Sequence, residues 1–342
     1  MITPKNKQTY KFWIDFTKAV AAFMVLFQHS ISHIWTSTSP DSLLWKTSHF
    51  PFIFSRIAVL LFIMCSGATI LQKERTPYSI LRHNIFPLLK VYFSWMMIYG
   101  IYECILLYKD DIHSFQTYLN AIIKSVLFGH YHTWFIFTII GLYLITPFLY
   151  PIIRNLESTK YFLILSMVFT IVIPALRSFP FLDRLSDNLS NFNMNFVLGY
   201  ILYYVLGYYI SCRGWNKQYQ LICFIVFLIS YSLSSLLTFY FSMEKNMATQ
   251  ELLGDFSILT FLTTISFFSL LKSLENYKFF PIFSKIAYLG LALYLMHPIF
   301  LVFIQMITDF KIFIVIPVFY VFCIIICYLI SKNKLLSHFL LK

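Results

Sequence analysis

Charge is what this chain has least of. Asp, Glu, Lys and Arg make up 12% of its 342 residues, about half their share in an ordinary soluble domain. With 59% of the residues hydrophobic, an ordinary water-soluble fold is excluded. Glycine is scarce as well, at nine residues. No internal repeat is visible either, so the matching broken helices of many transporters are missing. The six cysteines, Cys65, Cys104, Cys212, Cys223, Cys323 and Cys327, show no metal-type pairing. Cys323 and Cys327, one helical turn apart, read as small apolar residues, and neither zinc nor a disulfide is expected. No basic helix and no aromatic-basic sheet pattern is present, so the net charge of +12 does not point to nucleic acid.

Present instead are aromatics, 39 Phe and 24 Tyr, in amounts that suit interfacial belts and helix packing in lipid. A helix needs about 20 apolar residues to cross a bilayer, and an open sheet cannot satisfy its backbone there. Ten runs qualify: 13–34, 51–71, 86–108, 132–152, 161–178, 194–212, 219–241, 255–272, 286–307 and 312–331. The loops between them sort by charge. With the N-terminus cytoplasmic, the inner segments 1–12, 72–83, 153–160, 211–218, 272–285 and 331–342 hold sixteen Lys and Arg against three acids. The outer segments 36–50, 109–125, 178–193, 242–255 and 308–311 hold six against nine. This is the positive-inside pattern. The expected fold is all-α, a polytopic membrane protein of about ten transmembrane helices with both termini cytoplasmic and a single domain over 1–342.

Lys5, Lys7 and Lys11 resemble the start of a signal peptide, but the run that follows carries Asp15 and Lys18 and no small-residue cleavage site. An uncleaved first span is expected. Segment 115–128 has apolar residues at helical spacing and is expected to form an amphipathic interfacial helix.

The first run is the one that needs explaining. Lys18 and His29 are 11 residues apart, which on a helix puts them about 20° apart around the axis and about 16 Å apart along it. Asp15 lies one turn below Lys18, close enough to pair with it, and His33 lies one turn above His29. Asp15, Lys18, Ala22, His29 and His33 therefore share one stripe. An interfacial Asp15–Lys18 pair that only fixes helix depth is the plain reading, and His29 as a packing residue is another. A polar face from the cytoplasmic side to an outer-half imidazole also lines a passage. An imidazole with a pKa near 6.5 takes a proton from a hydroxyl at neutral pH, or carries an acyl group itself.

The stretch "IDFTKAVAAFMVLFQHS" resembles the first span of the membrane-bound acyltransferase family 3, whose pattern is Asp, then Arg or Lys three on, then His eleven beyond. "SRIAVLLFIMCSGATIL" (55–71), "HTWFIFTIIGLYLITPFL" (132–149), "VLGYILYYVLGYYIS" (197–211) and "LGLALYLMHPIF" (289–300) are similar to later family segments, in the family's order. The likeness is best to the compact subgroup near enterobacterial common antigen acetylation and intercellular adhesin modification. It implies an O-acetyltransferase of the bacterial inner membrane. Acetyl-CoA would be a cytoplasmic acyl donor and not a bound cofactor. The acceptor would be a cell-surface glycan or a polyprenyl-linked sugar, with glycan-synthesis machinery as a possible partner. It further implies His29 as the catalytic residue and Lys18, supported by Asp15, on the donor side. The family's Arg-x-Arg feature for CoA phosphates has only poor counterparts here, in Lys73, Arg75 and Arg82, which still supply positive charge.

Four further polar residues and one Trp fall in or beside spans. Arg56 is a candidate for a sugar or polyprenyl phosphate, or an interfacial anchor. Glu103 is costly in mid-span and is expected to orient His29 or to pair with Arg56 or Arg177. His132 and Trp134 are candidates for stacking on a sugar ring, although Trp at that height is ordinarily a belt residue. His297 precedes Pro298, which frees a backbone carbonyl, and is either a substrate contact or a local hydrogen-bonding residue. Acyltransferase is the favoured function class. The alternative is an exporter of a glycan or glycolipid, because intramembrane charges mark transport paths too.

Overall fold

The computed structural model describes residues 12–107, 115–179, 181–277 and 281–341, so Lys5, Lys7 and Lys11 lie outside the described residues. Every regular element among the described residues is helical. In chain order the helices are α1 (Phe12–Ser37), α2 (Leu43–Ser55), α3 (Ala58–Ile70), α4 (Pro77–Ile80), α5 (Phe86–Leu107), α6 (Phe115–Phe128), α7 (Trp134–Arg154), α8 (Leu156–Met167), α9 (Ile173–Leu176), α10 (Asp183–Ser190), α11 (Ile201–Ser211), α12 (Lys217–Glu244), α13 (Ile258–Lys272), α14 (Ile282–Ile304), α15 (Ile312–Lys332) and α16 (Lys334–Leu340).

Seven helical stretches among the described residues are long and apolar enough to cross a bilayer: Leu43–Ile70, Pro77–Ile105, Trp134–Arg154, Leu156–Leu176, Lys217–Glu244, Ile282–Ile304 and Ile312–Lys332. They correspond to seven of the ten expected runs. The other three runs are α1, α11 and α13. Helix α1 has the length, at 26 residues, but carries Asp15, Lys18, Gln28, His29 and His33. Helices α11 and α13 have 11 and 15 residues. Of the 11 in α11, nine are buried, so protein rather than lipid surrounds its backbone and it need not match the bilayer's thickness.

The chain divides into two compact units. The first comprises residues 1–74 and 148–287. Its centre is the contact of α3 with α11, where two glycines face each other's backbones. A Cβ on Gly67 would stand 1.8 Å from the Tyr204 carbonyl oxygen, and one on Gly207 would stand 2.1 Å from that of Met64. Only hydrogen fits at either position, and small residues are what lets helices in lipid approach this closely. Helix α1 packs on α2, α3 and α13. Trp35 stacks on Phe52 at 4.3 Å, and the Trp45 indole donates to the Trp35 carbonyl at 2.9 Å.

His49 is wholly buried in this aromatic group. The Trp35 indole donates to its Nδ1 at 3.2 Å, and its Nε2 donates to the Ser235 carbonyl at 2.9 Å. These two bonds fix one neutral tautomer, so His49 pins α1, α2 and α12 together. Helices α12 and α13 meet through small hydroxyl residues, among them Thr263, which donates to Ser230 at 2.9 Å. The buried Lys272 ends α13, pairs with Glu275 and lies 5.7 Å over the Trp13 ring.

The second unit comprises residues 75–147 and 288–342. Helix α6 is present where the sequence predicts it, packed on α5. Helix α14 contains Pro298, and α5 ties this stretch down. The hydroxyls of Tyr99 and Tyr102 donate to the carbonyls of Leu295 and Ile299 at 2.7 and 2.8 Å. At the C-terminal end the Trp95 indole donates to the Leu340 carbonyl at 3.1 Å, which docks α16 on α5.

Candidate functional site

Both ends of the α1 stripe face the hairpin formed by α2 and α3. At the lower end the Cys65 thiol of α3 approaches the Ile14 carbonyl at 3.9 Å, and Asp15 and Lys18 are both within electrostatic reach of that thiol. Each is half-buried. They do not form the ion pair with each other that their spacing predicts; among the described residues the ion pairs do not include it.

At the upper end stands Arg56, in the tight turn between α2 and α3. Its guanidinium donates to the Gln28 amide oxygen at 2.9 Å, with that amide oriented so that its nitrogen donates to the Ser55 carbonyl at 3.2 Å. It also donates to the Leu253 carbonyl at 3.1 Å. Its charge acts on the neighbouring His29 ring. Among the described residues Arg56 is in no ion pair, and its buried Nε has no hydrogen-bond acceptor. A guanidinium held by neutral acceptors keeps its positive field, which suits developing negative charge close to an imidazole. Cys65 lies on α3, nine residues beyond Arg56 in the chain.

Three residues that sequence reasoning did not single out, Asp255, Tyr200 and Tyr203, join this upper cluster. Asp255 accepts from the Tyr200 hydroxyl at 2.6 Å, and its backbone carbonyl accepts from Tyr203 at 2.5 Å. Arg56 is close enough to act on Tyr200 electrostatically. Asp255 was counted only as a loop acid, and no sequence spacing links it to a position 226 residues earlier, at His29.

The remaining candidates separate into other groups. In the second unit Glu103, His132 and His297 come together around Tyr99. Glu103 lies 3.6 Å from His130, so its partner is neither Arg56 nor Arg177; Arg177 pairs with Asp187 at 2.9 Å. The Tyr99 ring lies tilted against that of His130 at 4.2 Å and 5.4 Å from that of His132. The His132 and His297 rings are 6.2 Å apart, and both residues are 1% exposed. His297 donates from Nδ1 to the Leu293 carbonyl, one turn back, at 3.1 Å. The Tyr294 hydroxyl donates to the His132 carbonyl.

His130, which the sequence reading passed over, sits in the turn before α7, outside the candidate spans. Burial pushes its pKa down, and Glu103 pulls it back up. Trp134 stands apart from this group, 41% exposed at the start of α7 with its ring edge-on to Phe135. Among the described residues no group of His, Cys, Asp and Glu has the arrangement of a metal site.

Of the basic residues expected near CoA, Lys73 and Arg82 are exposed and Arg75 is half-buried. Arg82 donates to the Tyr78 hydroxyl at 3.0 Å, and Arg75 donates to the Asn84 amide at 3.3 Å. The Arg75 Nε is buried without an acceptor among the described residues. Arg82 and Asn84 lie in a π-helical turn, Leu81–Ile85, a wide turn common at functional sites.

A family model described as an acyltransferase domain, that of acyltransferase family 3, matches residues 11–332. No curated protein and no solved structure matches the chain.

Proposed function

The chain belongs to acyltransferase family 3, and we propose that it is a membrane O-acetyltransferase. In this reading it moves an acetyl group from cytoplasmic acetyl-CoA to a hydroxyl of a cell-surface polysaccharide or its lipid-linked precursor, at the bacterial inner membrane. The observation that carries it is the orientation of α1, whose lower polar end meets Cys65 and whose upper end meets Arg56 on one neighbouring helix hairpin. In this reading the two ends belong to one seam through the first unit.

In this mechanism Lys18, with Asp15, receives the donor at the inner end. Lys73, Arg75 and Arg82 supply positive charge for the CoA phosphates. His29 uses an unprotonated ring nitrogen at the outer end. It either takes the proton from the acceptor hydroxyl as that oxygen attacks the thioester carbonyl, or first attacks that carbonyl itself to form an acyl-imidazole from which the hydroxyl then takes the acetyl group. Either way the C–S bond breaks, CoA leaves as its thiolate, and the acceptor's proton passes by way of the imidazole to that sulfur or to water. In both routes the attacked carbonyl oxygen gains negative charge, and the Arg56 guanidinium next to His29 is the group available to stabilise it.

The experiment is transfer of labelled acetyl from acetyl-CoA to surface glycan, measured for the wild type and for His29→Ala at equal membrane levels. The wild type is expected to label the glycan and His29→Ala to lose labelling. Retained labelling in the variant would remove His29 from the mechanism. Labelling from succinyl-CoA in preference to acetyl-CoA would correct the donor.

A further inference from the structure

The segment from Leu253 to Ser257 is held at four points, and none of its own residues has a part in the mechanism above. The Leu253 carbonyl accepts from Arg56 at 3.1 Å, and the Asp255 carbonyl accepts from Tyr203 at 2.5 Å. The Asp255 carboxylate accepts from Tyr200 through Oδ2 at 2.6 Å. Ser257 caps α13 by accepting from the Thr260 backbone at 3.2 Å. A short connection fixed this often presents its side chains in one arrangement.

What it presents is a carboxylate beside an aromatic pair. Asp255 is half-buried and, among the described residues, in no ion pair, although the Arg56 guanidinium binds the carbonyl two residues away. Its Oδ1 has no donor among the described residues. A carboxylate offers hydroxyl donors about four lone-pair sites, and the Tyr200 hydroxyl takes up one of them. Beside it the Phe256 ring stands 4.9 Å from that of Tyr200 and 6.3 Å from that of Tyr203. A carboxylate that accepts hydroxyls, next to aromatic faces that cover apolar C–H surface, is matched by a sugar ring, which carries both.

We propose that Asp255, Phe256 and Tyr200 form the acceptor subsite of the first unit, in which Asp255 accepts hydrogen bonds from ring hydroxyls of a neutral sugar and Phe256 covers its C–H face. The proposal rests on the acyl-transfer reading and names its acceptor-side residues. Arg56 links the subsite to His29, since its guanidinium lies within electrostatic reach of both Tyr200 and His29.

The test uses the full chain reconstituted in lipid, acetyl-CoA as donor, and glycan extracted from cells deleted for the protein as acceptor. Asp255→Asn keeps an oxygen for the Tyr200 hydroxyl and removes the charge. It is expected to raise the KM for glycan between about ten- and a hundred-fold, the loss of a charge-assisted hydrogen bond, with the KM for acetyl-CoA unmoved. Phe256→Ala is expected to raise the glycan KM in the same selective way, and it decides the matter if Asp255→Asn does not reach the membrane. An unchanged glycan KM in both variants overturns the proposal. So does a parallel rise in both KM values, which marks a structural role. A wild type that transfers nothing from acetyl-CoA sinks the acyl-transfer reading instead. In that event, equilibrium binding of the same glycan by the wild type and Asp255→Asn still decides the subsite, with equal affinities overturning it.

Discussion

The two units each gather histidine, tyrosine and a charged residue, and they use them in opposite ways. In the first, Arg56 donates to amide and carbonyl oxygens and lies within electrostatic reach of His29, so a positive field stays available beside a half-buried imidazole. In the second, three imidazoles are stacked among tyrosines, and the hydroxyls of Tyr99, Tyr102 and Tyr294 are spent on backbone carbonyls. The first arrangement leaves donors for a reacting group. The second spends its tyrosine hydroxyls on backbone carbonyls around a Pro-containing helix, which ties neighbouring segments together. Polar residues inside a membrane protein are thus not evidence of chemistry by themselves; the direction in which their hydrogen bonds point separates the two uses.

This contrast can be broken by substitution. The largest effect is expected at His29, where alanine should cut acyl transfer by about 10²–10⁴, the range for a lost general base, with little change in thermal unfolding of the purified protein. His132→Ala should do the reverse. Loss of a fully buried ring is expected to cost about 2–4 kcal/mol of stability, read as a lower melting temperature in detergent, while the protein that survives keeps its turnover number. If His132→Ala abolished transfer in stably folded protein, the second cluster would be chemical and the contrast would fail.

Arg56→Lys keeps the charge but loses the planar fork that reaches Gln28 and Leu253 together. A fall of about tenfold in transfer is expected, the worth of one charge-assisted hydrogen bond. Tyr99→Phe leaves the Leu295 carbonyl without its donor and should cost about 1–3 kcal/mol in unfolding free energy, with no change in donor or acceptor KM.

The smallest effect concerns pH. Burial lowers the His130 pKa below its ordinary value near 6.5, and Glu103 opposes that shift. A lowered imidazole pKa means that the unfolded chain takes up a proton first as pH falls. Stability is therefore full above about pH 6.5 and declines on acidification toward the folded-state value. Glu103→Gln removes the opposing charge, so the decline should steepen. Melting temperatures between pH 8 and pH 5 check this, and a variant that lost its acid sensitivity would reverse the assigned role of Glu103.

Much of the fold is legible without coordinates because lipid makes length and polarity decisive. Seven of the ten apolar runs are spanning-length helices, since a backbone in hydrocarbon has no other way to satisfy itself. Runs 194–212 and 255–272 read as spans on apolar count alone; their helices, α11 and α13, have 11 and 15 residues, and nine of the 11 in α11 are buried in protein. A buried helix and a lipid-facing one are equally apolar, and only neighbours tell them apart. The α1 stripe was visible for a similar reason of scale. Asp15, Lys18 and His29 sit on a single helix, whose 100° step is fixed by local geometry.

What the stripe faces was not visible. The Arg56–Gln28 contact joins two helices and Tyr200–Asp255 joins a helix to a distant loop, and no local periodicity encodes such pairs. Glu103 shows the limit from the other side. Its cost in an apolar run was evident from its charge, but its partner, His130, comes from the turn after the next helix. Local physics determined which segments are helical and which side chains share a face. Long-range packing, through close approaches such as Gly67 on Tyr204, decided which faces meet, because the free energy of a helix contact depends on both surfaces and neither segment contains the other.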